Sequence, residues 1–325
     1  MSAPQPGAPG TTPLTPHPSA SASDLYGELR PRAFAIAYQM LGSVSEAEDV
    51  VQETFLRLHR TLRQDEPIAS PRAYVATLAT RLAIDQLRSA RVRRERYFGE
   101  WLPEPLVTEP TPAERAETAD SLSLAFLVLL ESLSPHQRAA FLLREVFDYA
   151  YPEVAEIVGT DVDGARHLVA RARARLRDRR PRYHASRRQR EELARRFFAA
   201  AEQGDLGALE AMLAQDVALH ADGGGKVPAL GRPMSGRERV ARKLAAGFAA
   251  FAAYGARLRP AEVNGQPGAM AYDAEGRLVG VIGLGITGDG RVATVHSVFN
   301  PDKLGHLAGG GGVGLWSAKW AGRAE

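Results

Sequence analysis

Asp163, Arg166, His167 and Arg171 recur at helical spacing and share one side of a helix begun at Val162, together with Ala170, Ala174 and Arg177. Val162, Ala165, Leu168, Val169, Ala172 and Leu176 share the other side, an apolar stripe suited to packing. A basic, small-residue face opposite a buried one suits a DNA groove. With the turn Gly159-Thr160-Asp161 and the short apolar run before it, residues 151–182 read as a helix-turn-helix. The competing reading is a solvated arginine-rich helix. A second constellation is Tyr74, Thr77, Arg81, Ile84, Asp85 and Arg88, which share the outer face of a long helix opened by Ser70-Pro71. An aromatic ring, a hydroxyl and arginines together offer single-stranded nucleic acid a stacking surface and phosphate neutralisation. Alternatively, Tyr74 folds down onto the core. A third is Asp49, Gln52, Glu53 and Leu56, where a leucine stands among acids and an amide. It is either a stray exposed residue or the anchor of an acidic protein-docking surface.

Composition narrows the class. The chain has 325 residues, enough for two or three compact domains, and its 45% hydrophobic and 24% charged content is that of an ordinary soluble protein. A formal charge of +3 conceals two arginine blocks, at 72–96 and 166–196. Between them lie Glu100, Glu104, Glu109, Glu114, Glu117 and Asp120, an arrangement suited to touching a polyanion at two places. With no cysteine, disulfides and thiolate metal sites are excluded. No cofactor and no metal site is expected. The absence of a membrane-length apolar run and of a signal-peptide pattern points to a cytoplasmic protein without a membrane partner.

Residues 1–23 read as a disordered tail. A helical pattern over 25–41 is interrupted by Pro31 and ended by Gly42, and Ser45 with Glu48 forms an S-x-x-E capping box for the acidic helix. Trp101-Leu102-Pro103-Glu104-Pro105 opens a stiff acidic connector, and a tryptophan there should dock elsewhere on the chain. Helices resume at 121–133, and Ser134-Pro135-His136-Gln137 caps the next one. Beyond Pro181 the pattern becomes α+β, with helices at 191–201, 206–213 and 236–251. Strands follow at 217–220, 269–272, 278–286 and 292–299, with Gly288-Asp289-Gly290 turning the last hairpin. The glycine-rich tail from Gly305 is expected to be mobile.

These motifs converge on a family. SEAEDVVQETFLRLHR resembles the region 2.2 helix of extracytoplasmic-function sigma factors, and RLAIDQLRSARVRR resembles their regions 2.3–2.4. Residues 133–177 are similar to their region 4. WLPEP at 101–105, DGGGK at 222–226 and NPDKL at 300–304 resemble the signatures of the SigJ-like group, whose members end in a SnoaL-like domain. The resemblance implies a multidomain fold of two all-α sigma domains followed by an α+β cone. The expected boundaries are a tail at 1–23, region 2 at 24–98, a linker at 99–120 and region 4 at 121–182. The cone domain is expected at 188–305 and a flexible tail at 306–325.

It also implies roles. Asp49, Gln52, Glu53 and Leu56 match the family's docking surface for the β′ clamp helices of core RNA polymerase, whose β flap is a further partner. Tyr74, Thr77, Arg81, Asp85 and Arg88 fall on the face that contacts the −10 element, although many relatives have asparagine at the position of Arg81. Asp163, Arg166, His167 and Arg171 fall where region 4 reads the −35 element. Trp101 to Pro105, Asp222, Gly223, Gly224, Gly225, Lys226, Asn300, Pro301, Asp302, Lys303 and Leu304 become interdomain regulatory contacts, with the triglycine loop expected to face Trp101. As a phosphate loop that stretch fails, since Val227 follows the lysine.

Some SnoaL-like proteins are polyketide cyclases, and His220, Asp222 and His296 could act as acid and base in such a pocket. A structural role for each is the stronger reading, so no catalytic residue is expected. Three functions remain: a promoter-specificity factor controlled by its own C-terminal domain, an enzyme fused to a DNA-binding region, and an operator-binding repressor. A ligand of the cone pocket stays open.

Overall fold

The computed structural model describes residues 22–64, 68–107, 122–177, 186–309 and 312–314. Its N-terminal half is helical: α1 (Ala22–Leu41), α2 (Val44–Arg63), α3 (Pro71–Glu95), α4 (Leu124–Leu130), α5 (Pro135–Glu145), α6 (Tyr151–Val158) and α7 (Val162–Leu176). Contrary to expectation, α1 runs through Pro31. Burial of Leu29, Ala33, Ile36, Ala37 and Met40 against α2 and α3 outweighs the ~3 kcal/mol cost of an interior proline. The cap of α2 also differs. Ser43, not Ser45, accepts from the Glu46 amide at 3.2 Å, while Glu48 is held by Arg30 at 2.7 Å. The Ser134–Gln137 capping box of α5 is present, with Pro135 in the first turn.

The helix-turn-helix is α6, the turn and α7. Gly159 takes the left-handed conformation (φ 79°) that ends α6, and Asp161 Oδ1 accepts from the Gly164 amide at 2.6 Å to start α7. A β-carbon on Gly164 would lie 2.9 Å from that same oxygen, so the glycine keeps the cap closed at a cost in helix propensity. One apolar core joins all the helices, with Ile36, Leu41 and Leu87 in the same cluster as Phe141, Leu143 and Val158.

The C-terminal half is α+β. Helices α8 (Arg187–Gln203), α9 (Leu206–Met212) and α10 (Arg237–Ala253) pack on a sheet of β1 (Leu213–Asp222), β2 (Met234–Ser235), β3 (Arg257–Val263), β4 (Gln266–Tyr272), β5 (Leu278–Ile286) and β6 (Val292–Val298). The sheet order is β2-β1-β6-β5-β4-β3, with β1 and β6 parallel and every other pair antiparallel. Strand β3 lies outside the expected strands, because Pro260 breaks its alternation and it has few large apolar residues; as an edge strand it tolerates the proline and the exposed Arg257 and Arg259. The tail is not wholly free either. Gly305–Leu307 forms a 3-10 turn and Val313 makes a parallel bridge to Leu278.

Both faces of this sheet are covered. Leu219, Ile282, Leu284 and Val295 meet Phe197, Leu244 and Phe248 on the helix side. On the opposite side Val263, Met270, Leu278, Val281 and Val298 meet Leu102 of the connector and Leu124 of α4. The helical half therefore supplies the second cover that the sheet's apolar face requires.

Candidate nucleic-acid interface and linker joint

On α2, Val44, Ala47, Val50, Val51, Thr54 and Leu58 are buried, leaving Asp49, Gln52 and Leu56 exposed and Glu53 half-buried. Leu56 is 46% exposed and Glu53 pairs with Arg57 at 2.6 Å. Nothing described in the chain covers this acidic face.

The outer face of α3 differs from expectation. Ile84 is only 5% exposed, because α5 and α6 pack against this helix. Tyr74 packs against the core and its hydroxyl lies 2.9 Å from that of Thr61, so its ring is not presented for stacking. Thr77 bonds back to the Ala73 carbonyl. Arg81 donates to the carbonyls of Glu156 (2.8 Å) and Ile157 (3.1 Å) at the C-terminal end of α6. Carbonyls there lack helical partners and carry partial negative charge, which suits a guanidinium. Asp85 and Arg88 are exposed and 3.5 Å apart. On α7, by contrast, Asp163, Arg166, His167 and Arg171 are all exposed, with Arg166 paired to Asp163 at 2.9 Å.

The polar contacts between the helical units are largely arginine contacts. Arg32 Nε donates to the Tyr149 hydroxyl at 3.1 Å. Arg138, 1% exposed, donates to the Gln39 carbonyl (3.0 Å) and to Glu131 (2.6 Å), and Arg94 also donates to Glu131. Burial pushes the Glu131 carboxyl up, but Arg138 and Arg94 overcome it and hold the group below the usual carboxylate range.

The connector is bound along its first part. Glu104 accepts from the Val44 amide (2.7 Å), the Ser45 amide (3.3 Å) and the Ser43 hydroxyl (2.8 Å), placing a buried carboxylate at the positive end of α2. Trp101 packs against Gly42, where a β-carbon would lie 2.9 Å from its ring, under the Arg94 guanidinium at 3.7 Å. Lys303 lies over the same ring at 4.3 Å. The triglycine loop does not face Trp101. Gly225 contacts Phe98 and Gly224 contacts Asn300.

Asp222 is the centre of this joint. It accepts from the Leu102 amide (2.9 Å), the Tyr97 hydroxyl (2.5 Å) and Lys303 Nζ (2.6 Å), while Lys303 also donates to the Leu102 carbonyl. Asn300 donates to the Tyr97 hydroxyl at 2.7 Å, and Lys226 pairs with Asp302 at 2.6 Å. Burial lowers the Lys303 ammonium's pKa despite Asp222, and burial together with Asp222 raises that of the Tyr97 hydroxyl. A second staple is Asn264, buried in the β3–β4 turn (φ 51°). It donates to the Tyr38 hydroxyl (2.7 Å) and the Leu122 carbonyl (2.9 Å), and accepts from the Leu106 amide (2.9 Å).

The supposed acid–base set is not gathered in a cavity. His220 pairs with Glu100 of the connector at 2.6 Å and stacks on His296, ring centroids 4.9 Å apart, while Asp222 is consumed by the joint. All three lie on the connector side of the sheet, away from α8–α10. Burial, then the charge of His220, lowers His296 to about 3. Among the described residues no cluster of three metal-ligating side chains occurs and no helix is long and apolar enough to cross a membrane.

Residues 25–93 match the Sigma-70 region 2 family, 123–176 the Sigma-70 region 4 family and 194–302 the SnoaL-like domain. An ECF RNA polymerase sigma factor of Mycobacterium tuberculosis, SigJ, is 35% identical over 299 residues, covering 85% of this chain and 91% of the relative. The chain belongs to the ECF sigma factors. A probable ECF sigma factor of the same species, SigI, is 31% identical over 276 residues, 84% of this chain and 91% of the relative. The crystal structure of M. tuberculosis SigJ aligns with a TM-score of 0.67 at 32% identity, covering 86% of this chain and 96% of that one. This is an alternative sigma factor whose two helical units are followed by a SnoaL-like domain. Tyr97, Glu100, Arg94 and Asn264 escaped the sequence reading. Only Asn264 carried a usable signal, the Asn-Gly dipeptide of a tight hairpin.

Proposed function

We propose that this sigma factor docks core RNA polymerase through Asp49, Gln52, Glu53 and Leu56 against the β′ clamp helices, with the β flap contacting region 4. On this reading Tyr74, Thr77, Arg81, Asp85 and Arg88 meet the −10 element, and Asp163, Arg166, His167 and Arg171 read the −35 element. The chain acts in the cytoplasm without enzymatic turnover. Its divisions are region 2 at 24–98, linker at 99–120, region 4 at 121–182 and cone domain at 188–305, with the terminal tails outside them. The C-terminal domain regulates in cis by holding the linker through WLPEP, DGGGK and NPDKL.

The observation that carries the regulatory reading is the packing of α5 and α6 against α3, which buries Ile84 and engages Arg81 with the carbonyls of Glu156 and Ile157. Elements centred at −10 and −35 lie about 25 base pairs apart, on the order of 85 Å of duplex at ~3.4 Å per pair. A helical body of this size is only about 40 Å across. The arrangement is therefore a closed one that must open on a promoter. A ligand or partner can favour opening only by binding the open form better.

Run-off transcription with core polymerase tests both claims. Promoter-dependent initiation is expected from the full chain, with a much lower yield from Leu56→Glu, which alters an exposed residue. A higher yield is expected from residues 1–187. Absence of initiation from every form would defeat the sigma reading, and equal yields from the full and shortened chains would defeat cis regulation.

A further inference from the structure

A cavity of about 700 Å³ opens between α8 and the β3–β4 hairpin, on the opposite side of the sheet from the linker joint. That volume is in the range of small-molecule sites, about 300–1,000 Å³. Its wall is mainly apolar, with Ala194 and Phe198 of α8 facing Leu258 and Ala269 of the sheet, and Val107 of the linker closing part of it. None of His220, Asp222 and His296 contributes to it.

The charges around the mouth are unevenly matched. Arg187 is held by Glu191 at 2.6 Å and Glu262 at 3.2 Å. Arg190, one turn on, has no carboxylate partner among the described residues. Its Nη1 donates to Gln266 at 3.0 Å, and its Nε is buried without an acceptor. Among the described residues this half-buried cation beside an apolar hollow has a neutral amide for its side-chain partner, in place of the carboxylate that a desolvated guanidinium ordinarily has.

We infer that this cavity is a receptor site for an amphipathic carboxylate. The apolar body lies along Phe198, Ala194 and Ala269, and the carboxylate supplies the missing counter-charge to Arg190. The guanidinium fork matches a carboxylate in plane and pairs with it by two charge-assisted bonds, which an alcohol of equal length cannot reproduce. Because Val107 forms part of the wall, an occupant touches the linker directly. The site rests on the cavity alone, so its failure would leave the promoter reading standing, and the converse holds.

Calorimetric titration of the full chain with decanoate, 1-decanol and acetate tests this. Decanoate should bind saturably at one site, with 1-decanol and acetate each at least about tenfold weaker. Arg190→Gln should reduce decanoate binding to the level of 1-decanol without shifting the melting temperature. Ala199→Phe, which fills the cavity from α8, should abolish binding of both. Equal binding of decanoate and 1-decanol would overturn the assignment, as would decanoate binding unchanged in both variants or absent up to millimolar concentration.

Discussion

The acidic face of α2 and the outer face of α3 belong to one small helical unit, yet the first is open and the second is partly engaged by α5 and α6, with Asp85 and Arg88 left exposed. Leu56 stands free while Ile84 is buried and Arg81 is spent on α6 carbonyls. On the proposed reading this fixes an order of events. The polymerase-docking surface is available from the start, and Arg81 of the −10 face is released only after the two helical units part. The joint around Asp222 ties Lys303 of the C-terminal domain to Tyr97 and to the Leu102 amide of the linker, just beyond the end of α3.

The largest effect on this asymmetry is expected from Lys303→Met. It leaves the fully buried Asp222 carboxylate without its cation, a loss of about 3–5 kcal/mol for a broken buried pair. Amide exchange should accelerate through 97–107 and 222–226 and in the first turn of α2, which Glu104 caps, while the rest of α2 stays unchanged. Equal loss of protection throughout α2 would show that the two faces are not independently controlled.

A smaller effect is expected from pH. An unfolded histidine takes up its proton near 6.5, whereas His296 in place does so only near 3. Protons thus favour the unfolded chain as pH falls below about 6.5, and the loss is complete only near pH 3. By pH 5 the cost is about 2 kcal/mol. The urea midpoint should drop between pH 7 and pH 5 in the native chain and drop less in His296→Phe. An identical drop in the variant would assign the sensitivity elsewhere.

The smallest effect is expected from Arg81→Ala, which removes two charge-assisted bonds to α6 at a partly exposed site, about 1–2 kcal/mol. Exchange near Ile84 should quicken. Unaltered protection there would mean that apolar packing alone closes the face.

Most of the helical fold was legible because its caps and stripes are local. Ser134-Pro135 and the Asp161 turn announce their helices within four residues. What escaped was set by distant partners. Pro31 reads as a break until the packing of α1 is known, and the true cap of α2 comes partly from Glu104, 60 residues on. The exposure of the acidic surface of α2 is legible in its helical periodicity. The burial of Ile84 and the pairing of Arg81 on α3 are not, because their partners lie in another unit, and no periodicity within α3 signals that Arg81 will meet a helix end. In the cone domain the three motifs do meet, but Trp101 found Gly42, Arg94 and Lys303 in place of the glycine loop.

The Asn264 staple bears on the life of the nascent chain. Its partner Leu106 precedes it by 158 residues, and Tyr38 by 226. At synthesis rates of about 5–20 residues per second, roughly 8–30 s pass between the emergence of the linker and that of the residue that pins it. The second helical unit is complete only at Leu176, 88 residues before Asn264, so for roughly 4–18 s of that interval both units exist without the lock. The restraint on this factor is therefore a property of the finished polypeptide and not of the growing one.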